Sequence, residues 1–267
     1  MRQPAVQDRF YPGSPEALNK TIEDLLPKSD ESHPKAAIAA ISPHAGYVYS
    51  GELAAKTLNA VEIPETVIII GPNHRGVGAP VALSTHSWDM PFGTVEADND
   101  FSTRLVANCS NIQRDELAHR YEHSLEVQVP FLQKLQPNLS IVPLVVSHIS
   151  CPLCLTIATA IAKTIRSTDK KVLMVASTDM NHYESRDTTT RKDRLALQCV
   201  EELNPEKLYQ TVHDNKISMC GVVPVTIVLF AAKILGATSA TLIERSDSGA
   251  ISGDTDQVVG YAGLTIC

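Results

Sequence analysis

Histidine side chains follow two apolar runs of this sequence, at the points where a turn begins. His44 comes after the run 36–41, and His74 comes after the β-branched run 66–70. Both runs have the length and composition of buried strands. Ligands bind beyond the carboxyl ends of the strands in open α/β sheets, so both imidazoles are expected at one edge of a sheet. There they can bind a metal ion or transfer protons, although a histidine that only caps its turn is the alternative for each.

Two further segments bring polar groups to comparable positions. Asp179 and His182 follow the apolar run 172–177, and His123 precedes a predicted helix that begins at about Ser124. Carboxylates and imidazoles in such places can orient metal ligands or act as acid and base toward a substrate. A helix-capping arrangement around Ser124 is the alternative for the segment that contains His123.

Cys220 lies in a glycine-containing turn just before a long apolar helix predicted over 222–235. The positive end of that helix is expected to favour the thiolate. Together with His44 and His74, a thiolate can hold a borderline or soft metal ion, such as iron(II), zinc or copper. A buried cysteine without any chemistry is the alternative for Cys220. Spacing alone does not specify a metal site, because the sequence contains no HxH or HExxH pattern.

The order of the predicted elements indicates an α/β fold. The two histidine-bearing strands are separated by one helix, which is the layout of a βαβ unit with parallel strands. No linker or shift of composition divides the chain, so we expect a single domain over 1–267, with a central, mostly parallel sheet flanked by helices. Ser14 is the expected N-cap of a helix over 15–26, and Ser50 that of the helix after His44.

Composition excludes several classes of protein. The formal net charge is −7 and no block of Lys or Arg is present, so a nucleic-acid partner is not expected. The run 222–235 is shorter than the roughly 20 residues of a membrane span, and the N-terminal residues do not form a signal peptide, so a cytoplasmic protein is expected. The six cysteines are predicted to be free thiols. Cys151 and Cys154 form a C-x-x-C pattern, for which a coincidence at a helix start is favoured over a redox pair.

Several motifs together resemble the Memo-like family, also called AmmeMemoRadiSam system protein B. They occur in the family's order over nearly the whole chain, and they are Ser42-Pro43-His44-Ala45-Gly46-Tyr47, Gly71-Pro72-Asn73-His74, Glu122-His123-Ser124-Leu125-Glu126, Ser177-Thr178-Asp179-Met180-Asn181-His182-Tyr183 and Cys220-Gly221. The resemblance implies an α/β fold similar to that of class III extradiol ring-cleavage dioxygenases, whose iron is held by two histidines and a carboxylate.

The resemblance also implies a ligand set. The metal ligands fall on His44, His74 and Cys220, and Asp179 and His182 stand beside the metal. The dioxygenases have a glutamate where this chain has Cys220, so ring-cleaving activity is not inherited with the fold. A thiolate suits copper as well as iron, with zinc as a further candidate.

Three functions follow as hypotheses from the residues and the resemblance. The first is a redox enzyme that uses iron or copper and O2 on a small or peptide-borne substrate, with Asp179, His182 and His123 as candidate catalytic residues. The second is a non-catalytic module that binds a peptide or protein in the same cleft, as animal members of the family are thought to bind phosphotyrosine peptides. The third is an accessory role beside a radical SAM enzyme and an AMMECR-type protein.

Overall fold

The computed structural model describes residues 1–28 and 34–267. The polar stretch 27–34, whose composition predicts a loop, lies largely outside the described residues. Within them, ten strands form one sheet in the order β5-β3-β6-β2-β7-β1-β10-β8, with β4 beside β6 and β9 beside β10. The strands are β1 (Ala39–Ser42), β2 (Thr66–Pro72), β3 (Val81–Leu83), β4 (Glu96–Ala97), β5 (Gln113–Arg114), β6 (Ser140–Val146), β7 (Val172–Ser177), β8 (His182–Glu184), β9 (Ala240–Asp247) and β10 (Val258–Ile266).

Helices cover both faces of this sheet. They are α1 (Pro15–Leu25), α2 (Glu52–Asn59), α3 (Asn99–Asn108), α4 (Val129–Leu135), α5 (Cys151–Arg166), α6 (Arg186–Glu201), α7 (Pro205–Asp214), α8 (Val222–Leu235) and α9 (Gly249–Ser252). Among the described residues, none of these helices is both long and apolar enough to cross a membrane.

The central strands β6, β2, β7 and β1 are parallel, and β3, β8, β9 and β10 add antiparallel pairs at the sides. Side chains of β2 alternate between two cores, because successive residues of a strand point to opposite faces. Ile68 and Ile70 pack with α3, α5, α6, α7 and α8, whereas Val67 and Ile69 pack with α1, α2 and α4. Burial on both faces explains why this strand is apolar without alternation. The predicted α/β fold with a mostly parallel central sheet is confirmed.

The starts of two helices differ in how well the sequence predicted them. Ser14 caps α1 as predicted, since its side chain accepts the backbone N–H of Ala17. Ser50 does not cap α2. It lies in a π-helical turn, Tyr47–Gly51, and its hydroxyl donates to the carbonyl of Ala45 instead. The chain after His44 therefore enters the helix through a wider turn than a capped start would give.

The topology brings the predicted site segments to one edge. Strand β7 lies between β2 and β1, and all three run in the same direction. Their carboxyl ends therefore lie side by side. These ends lead to His74 after β2, Asp179 after β7 and His44 after β1. Helix α8 packs against the same strands, and Cys220 precedes its first turn.

Candidate metal centre

Three histidines form a cluster at the carboxyl edge of the sheet. Each of His44, His74 and His123 offers one ring nitrogen, and the three nitrogens lie within 4.8 Å of one another. The ring centroids are 5.2 Å apart for His44 and His74, 5.5 Å for His44 and His123, and 4.5 Å for His74 and His123. His44 is buried, His123 is half-buried and His74 is exposed, so the cluster extends from the interior to the surface. We call these three residues the histidine cluster.

The hydrogen bonds around His44 determine which of its nitrogens carries the proton. The Ser177 hydroxyl donates to the carbonyl of Ser124 at 2.6 Å, and the Gln128 amide donates to the Ser177 oxygen at 3.0 Å. Since the hydroxyl proton is already used, the 2.9 Å contact with Nδ1 of His44 requires the imidazole to donate. Nδ1 is then protonated, and Nε2 presents its lone pair to the cluster.

Glu122 orients the second imidazole. Its Oε1 lies 2.9 Å from Nδ1 of His74, and its Oε2 accepts the backbone N–H of the same residue at 2.7 Å. An ionised carboxylate only accepts hydrogen bonds, so Nδ1 of His74 is protonated and Nε2 is free. A carboxylate behind a histidine is the usual support of a metal-binding imidazole. Glu122 is not among the site residues predicted from the sequence, although an acidic residue directly before His123 is a usable signal.

Glu122 is ionised in spite of its burial. Burial by itself raises its pKa, but the hydrogen bond from His74, the charges of His74 and His123 and the backbone N–H of Ser124 together lower the pKa to about 2. The backbone N–H groups of His123 and Ser124 each donate to Oε1 at 2.8 Å. Nδ1 of His123 lies 3.4 Å from the same oxygen.

Burial has the opposite effect on the imidazoles. It lowers the pKa of His44 well below its usual value, and the charges of His123 and His74 add to the effect. It also lowers the pKa of His123 to about 4, against the charge of Glu122. Both rings are therefore neutral at pH 7, which is the form of histidine that binds metals.

The sulfur of Cys220 contacts one residue of the histidine cluster, His44. It lies 3.2 Å from Nε2 of His44 and accepts the backbone N–H of Asp179 at 3.2 Å. Two ligands of one zinc ion lie roughly 3.1–3.6 Å apart, given bond lengths of about 2.3 Å to sulfur and 2.0 Å to nitrogen. Cys220 thus fits as an additional donor next to His44, but within the described residues the mutual group consists of the three histidines.

The predicted thiolate at Cys220 is wrong for the metal-free protein. Burial raises the pKa of this thiol well above its usual value, and the charge of Asp179 raises it further. The helix terminus does not offset these two effects. Because Nε2 of His44 has a free lone pair, the protonated thiol donates its hydrogen there.

Asp179 supports the turn that carries His44. Its Oδ1 accepts the backbone N–H of His44 at 2.8 Å. Burial raises the pKa of Asp179, while hydrogen bonds from the backbone of His44 and Ala45 and the charges of His182 and His74 act against the rise. Asp179 can therefore exchange a proton nearer to neutral pH than an ordinary aspartate does.

His182 stands beside the cluster and has different partners. Its backbone N–H donates to the Ser218 hydroxyl at 2.7 Å, and its Nδ1 lies 2.8 Å from the Ser218 carbonyl. Nδ1 is therefore protonated, because a carbonyl only accepts, and Nε2 is available to a substrate. The ring is half-buried, and no hydrogen bond within the described residues joins it to the three histidines.

Residues at the start of the chain hold Glu122 and His123 from behind, which sequence analysis missed. The Arg2 guanidinium donates to the carbonyls of His119 and Glu122 and forms an ion pair with Glu126 at 2.8 Å. The Phe10 ring packs edge-on against His123, with centroids 5.0 Å apart. Arginine and phenylalanine carry no metal chemistry, so only the fold could place them here.

The donor set suits transition metals. Three imidazoles with an adjacent thiol favour zinc, copper or iron, whereas magnesium and calcium prefer oxygen ligands. The other cysteines lie elsewhere. All six are free, and Cys154 is fully buried in α5, with a pKa raised to about 12 by burial.

Comparison with known proteins identifies the relatives of the chain. The family model described as "Memo-like protein" matches residues 2–265. A "MEMO1 family protein" of Archaeoglobus fulgidus is 40% identical and aligns with 99% of this chain and 98% of its own. A second, from Aquifex aeolicus, is 39% identical over 99% and 98% of the two chains. A third, from Methanosarcina barkeri, is 36% identical over the full length of both.

A solved structure shares the fold. The uncharacterized protein JW3007 from Escherichia coli K12 superposes with a TM-score of 0.57 and 14% sequence identity, covering 83% of this chain and 98% of its own. At this identity the likeness concerns the arrangement of helices and strands alone.

Proposed function

This chain belongs to the Memo-like protein family, and we propose that it binds a transition-metal ion through His44, His74 and His123. The observation that carries the proposal is the mutual approach of three ring nitrogens within 4.8 Å. Ser177 and Glu122 hold the Nδ1 protons of two of these rings, which leaves Nε2 of both free for a metal. Cys220 is proposed as an additional donor on the His44 side.

We further propose that the metal is iron or copper, with zinc as a further candidate, and that the protein is a metal-dependent redox enzyme. Bound iron or copper would supply one-electron and O2 chemistry, which no side chain of the protein provides. Asp179 and His182 are the proposed acid and base, because the raised pKa of Asp179 and the free Nε2 of His182 allow proton exchange with a substrate.

The test is an anaerobic titration of chelator-treated protein with iron(II), copper(I) and zinc, compared between wild type and single variants. We expect His44→Ala, His74→Ala and His123→Ala each to weaken binding by about 100-fold or more, since each removes one ligand. Cys220→Ser measures the contribution of the sulfur. His148→Ala is the matched control, because this imidazole is exposed nearby but lies outside the histidine cluster.

Two results would overturn this proposal. The first is equal metal affinity in wild type and in the variant that lacks all three histidines. The second is a loss of affinity in His148→Ala as large as that in His44→Ala, because the metal would then bind elsewhere in the cleft.

A second candidate is a module that binds a peptide or protein without catalysis. It is favoured by three large apolar side chains that are exposed next to site residues in the sequence: Val48 is 74% exposed, Tyr49 is 46% exposed and Tyr183 is 72% exposed. Proposed partners are radical SAM and AMMECR-type proteins. Co-purification that survives both His44→Ala and His74→Ala would favour binding without metal chemistry.

We also propose a cytoplasmic location. Its support is that all six cysteines are free, as is usual in a reducing compartment.

A further inference from the structure

A cavity of about 680 Å³ lies against the candidate metal centre, and both His74 and Cys220 line it. Its walls come from the ends of β2 and β6, from α7 and the turn after it, and from the start of α8. This volume lies within the roughly 300–1,000 Å³ typical of small-molecule sites.

One side of the cavity is apolar. Aliphatic and thioether side chains line it, and they are Val146, Val212, Ile217, Met219, Val222 and Val223. All of them are buried in the fold, so the surface they present is fixed by packing. Such a wall takes a nonpolar body, because a polar one would lose its hydrogen bonds to water without replacement.

The polar side of the cavity is cationic. The whole chain has 30 acidic and 23 basic residues, yet no aspartate or glutamate among the described residues lines the cavity. Lys216 lines it, together with the imidazoles of His148 and His213. Within the described residues, Lys216 forms no ion pair. The local charge is thus opposite to the net charge of the protein, which selects an anionic group.

The number and kind of cations indicate which anion. In the part of the chain that the structure describes, no arginine lines the cavity, and Lys216 is its one permanent charge. Phosphate groups are typically held by arginine forks or by several cations, whereas a single lysine matches a single carboxylate.

We propose that this cavity binds an amphipathic monocarboxylate, with its nonpolar body on the apolar wall and its carboxylate at Lys216. As the substrate class of the candidate metal centre, the proposal rests on the proposed function. His74 and Cys220 line the same cavity, so a molecule bound there would lie against the candidate metal centre.

The experiment uses chelator-treated, metal-free protein at low ionic strength and 4-phenylbutyrate as the probe. 4-Phenyl-1-butanol has the same body without the charge, and butyrate has the charge without the ring. By calorimetric or NMR titration, wild type is expected to bind phenylbutyrate about two- to fivefold more tightly than the alcohol, as an exposed ion pair allows. Butyrate is expected to bind at least tenfold more weakly, because it lacks the ring that covers the apolar wall.

Variants at Lys216 test its role. Lys216→Met keeps the length of the side chain and is expected to abolish the preference for phenylbutyrate over the alcohol, whereas Lys216→Arg keeps it. Lys20→Met is the control, since Lys20 is an exposed lysine on α1 away from the cavity. The Lys216 side chain makes no hydrogen bond in the described residues, so these variants are expected to fold.

Two outcomes of these titrations would overturn the proposal: equal binding of phenylbutyrate and the alcohol by wild type, or an unchanged preference in Lys216→Met. A third outcome uses two further probes, phenyl phosphate and phenylacetate, and tighter binding of the phosphate than of the carboxylate would also overturn the proposal. If these occur while metal titration remains normal, the monocarboxylate site fails and the metal centre stands. If the preference is found but no metal binds to wild type, the cavity proposal is supported and the proposed function fails.

Discussion

The two sides of the histidine cluster hold their imidazoles by different means. On the buried side, the neutral hydroxyl of Ser177 accepts the Nδ1 proton of His44. On the open side, the ionised carboxylate of Glu122 accepts the Nδ1 proton of His74. A hydroxyl fixes the tautomer without adding charge, whereas a carboxylate also raises the basicity of the imidazole and offsets the charge of a bound cation.

The carboxylates on the two sides also differ in pKa, and the number of donors explains the difference. Glu122 accepts three backbone N–H groups besides the ring of His74, and its pKa falls to about 2 in spite of burial. Asp179 has backbone donors only, from His44 and Ala45, and its pKa is raised. A buried carboxylate therefore keeps a low pKa only where enough N–H groups replace the lost water.

The largest expected effect concerns the support of the open side. Arg2→Met removes a buried guanidinium and leaves the buried carboxylate of Glu126 without its ion pair, so we expect a loss of about 3–5 kcal/mol in the free energy of unfolding. Chemical denaturation measures it. Arg9→Met, at an exposed arginine of the same segment, is the control and should change stability little. A loss below 1 kcal/mol in Arg2→Met would show that this segment does not hold Glu122 and His123.

The next effect compares the two orienting groups directly. Glu122→Gln replaces an acceptor that takes four N–H groups by an amide that also donates, and it removes the negative charge. We expect metal affinity to fall about 10- to 100-fold, as for other supporting carboxylates. Metal titration measures this, with Glu201→Gln, an exposed glutamate at the end of α6, as the control. Unchanged affinity would mean that the open side does not depend on its carboxylate.

A smaller effect is expected on the buried side. Ser177→Ala removes one neutral hydrogen bond to His44, and we expect metal affinity to fall only about two- to tenfold. Ser42→Ala is a close control. Ser42 lies opposite Ser177 in the register of β1 and β7, but its hydroxyl has no hydrogen-bond partner among residues 1–28 and 34–267. A larger loss for Ser177→Ala than for Glu122→Gln would reverse the comparison.

The smallest effect tests, at a residue away from the site, whether hydrogen-bond donors keep the pKa of a buried carboxylate low. Burial raises the pKa of Asp98, but hydrogen bonds from Lys170, the Phe101 backbone and Thr66 leave it lowered. A lowered pKa stabilises the fold above the unfolded value of about 4, and this contribution is lost as the pH falls through the folded pKa.

Asp98→Asn keeps the helix cap and removes this titration, so we expect it to lose about 1 kcal/mol at pH 7. The difference from wild type should shrink below about pH 4. Denaturation series at several pH values measure it, with Asp100→Asn, an exposed neighbour in α3, as the control. If the difference in the free energy of unfolding between Asp98→Asn and wild type is constant with pH, a lowered pKa of Asp98 is contradicted.

Local patterns in the sequence predicted what depends on local chemistry. The apolar runs before His44, His74 and Asp179 predicted three parallel strands, and topology then required their ends to meet. Hydrogen-bond partners over long sequence separations were not predictable. Ser177, Glu122 and Arg2 act through contacts with residues 48 to 133 positions away. Ser177 and Arg2 carry no signal of their own in the sequence, and the one signal for Glu122 is its place directly before His123.

The position of His123 shows the same limit. As a residue at the start of a predicted helix, it was expected to line the site, while Cys220 was expected among the ligands. The structure places a ring nitrogen of His123 in the mutual group and the sulfur of Cys220 beside His44 only. The difference arises in the turn at 122–124, which Glu122 closes by accepting two successive backbone N–H groups.

X-ray absorption spectroscopy of the zinc-loaded protein tests the histidine cluster most directly, because it counts the nitrogen and sulfur atoms bound to the metal. Wild type should show three imidazole nitrogens and at most one sulfur, and His123→Ala should show two imidazoles. Two imidazoles in both proteins would contradict a three-histidine centre and leave His123 without a part in metal binding.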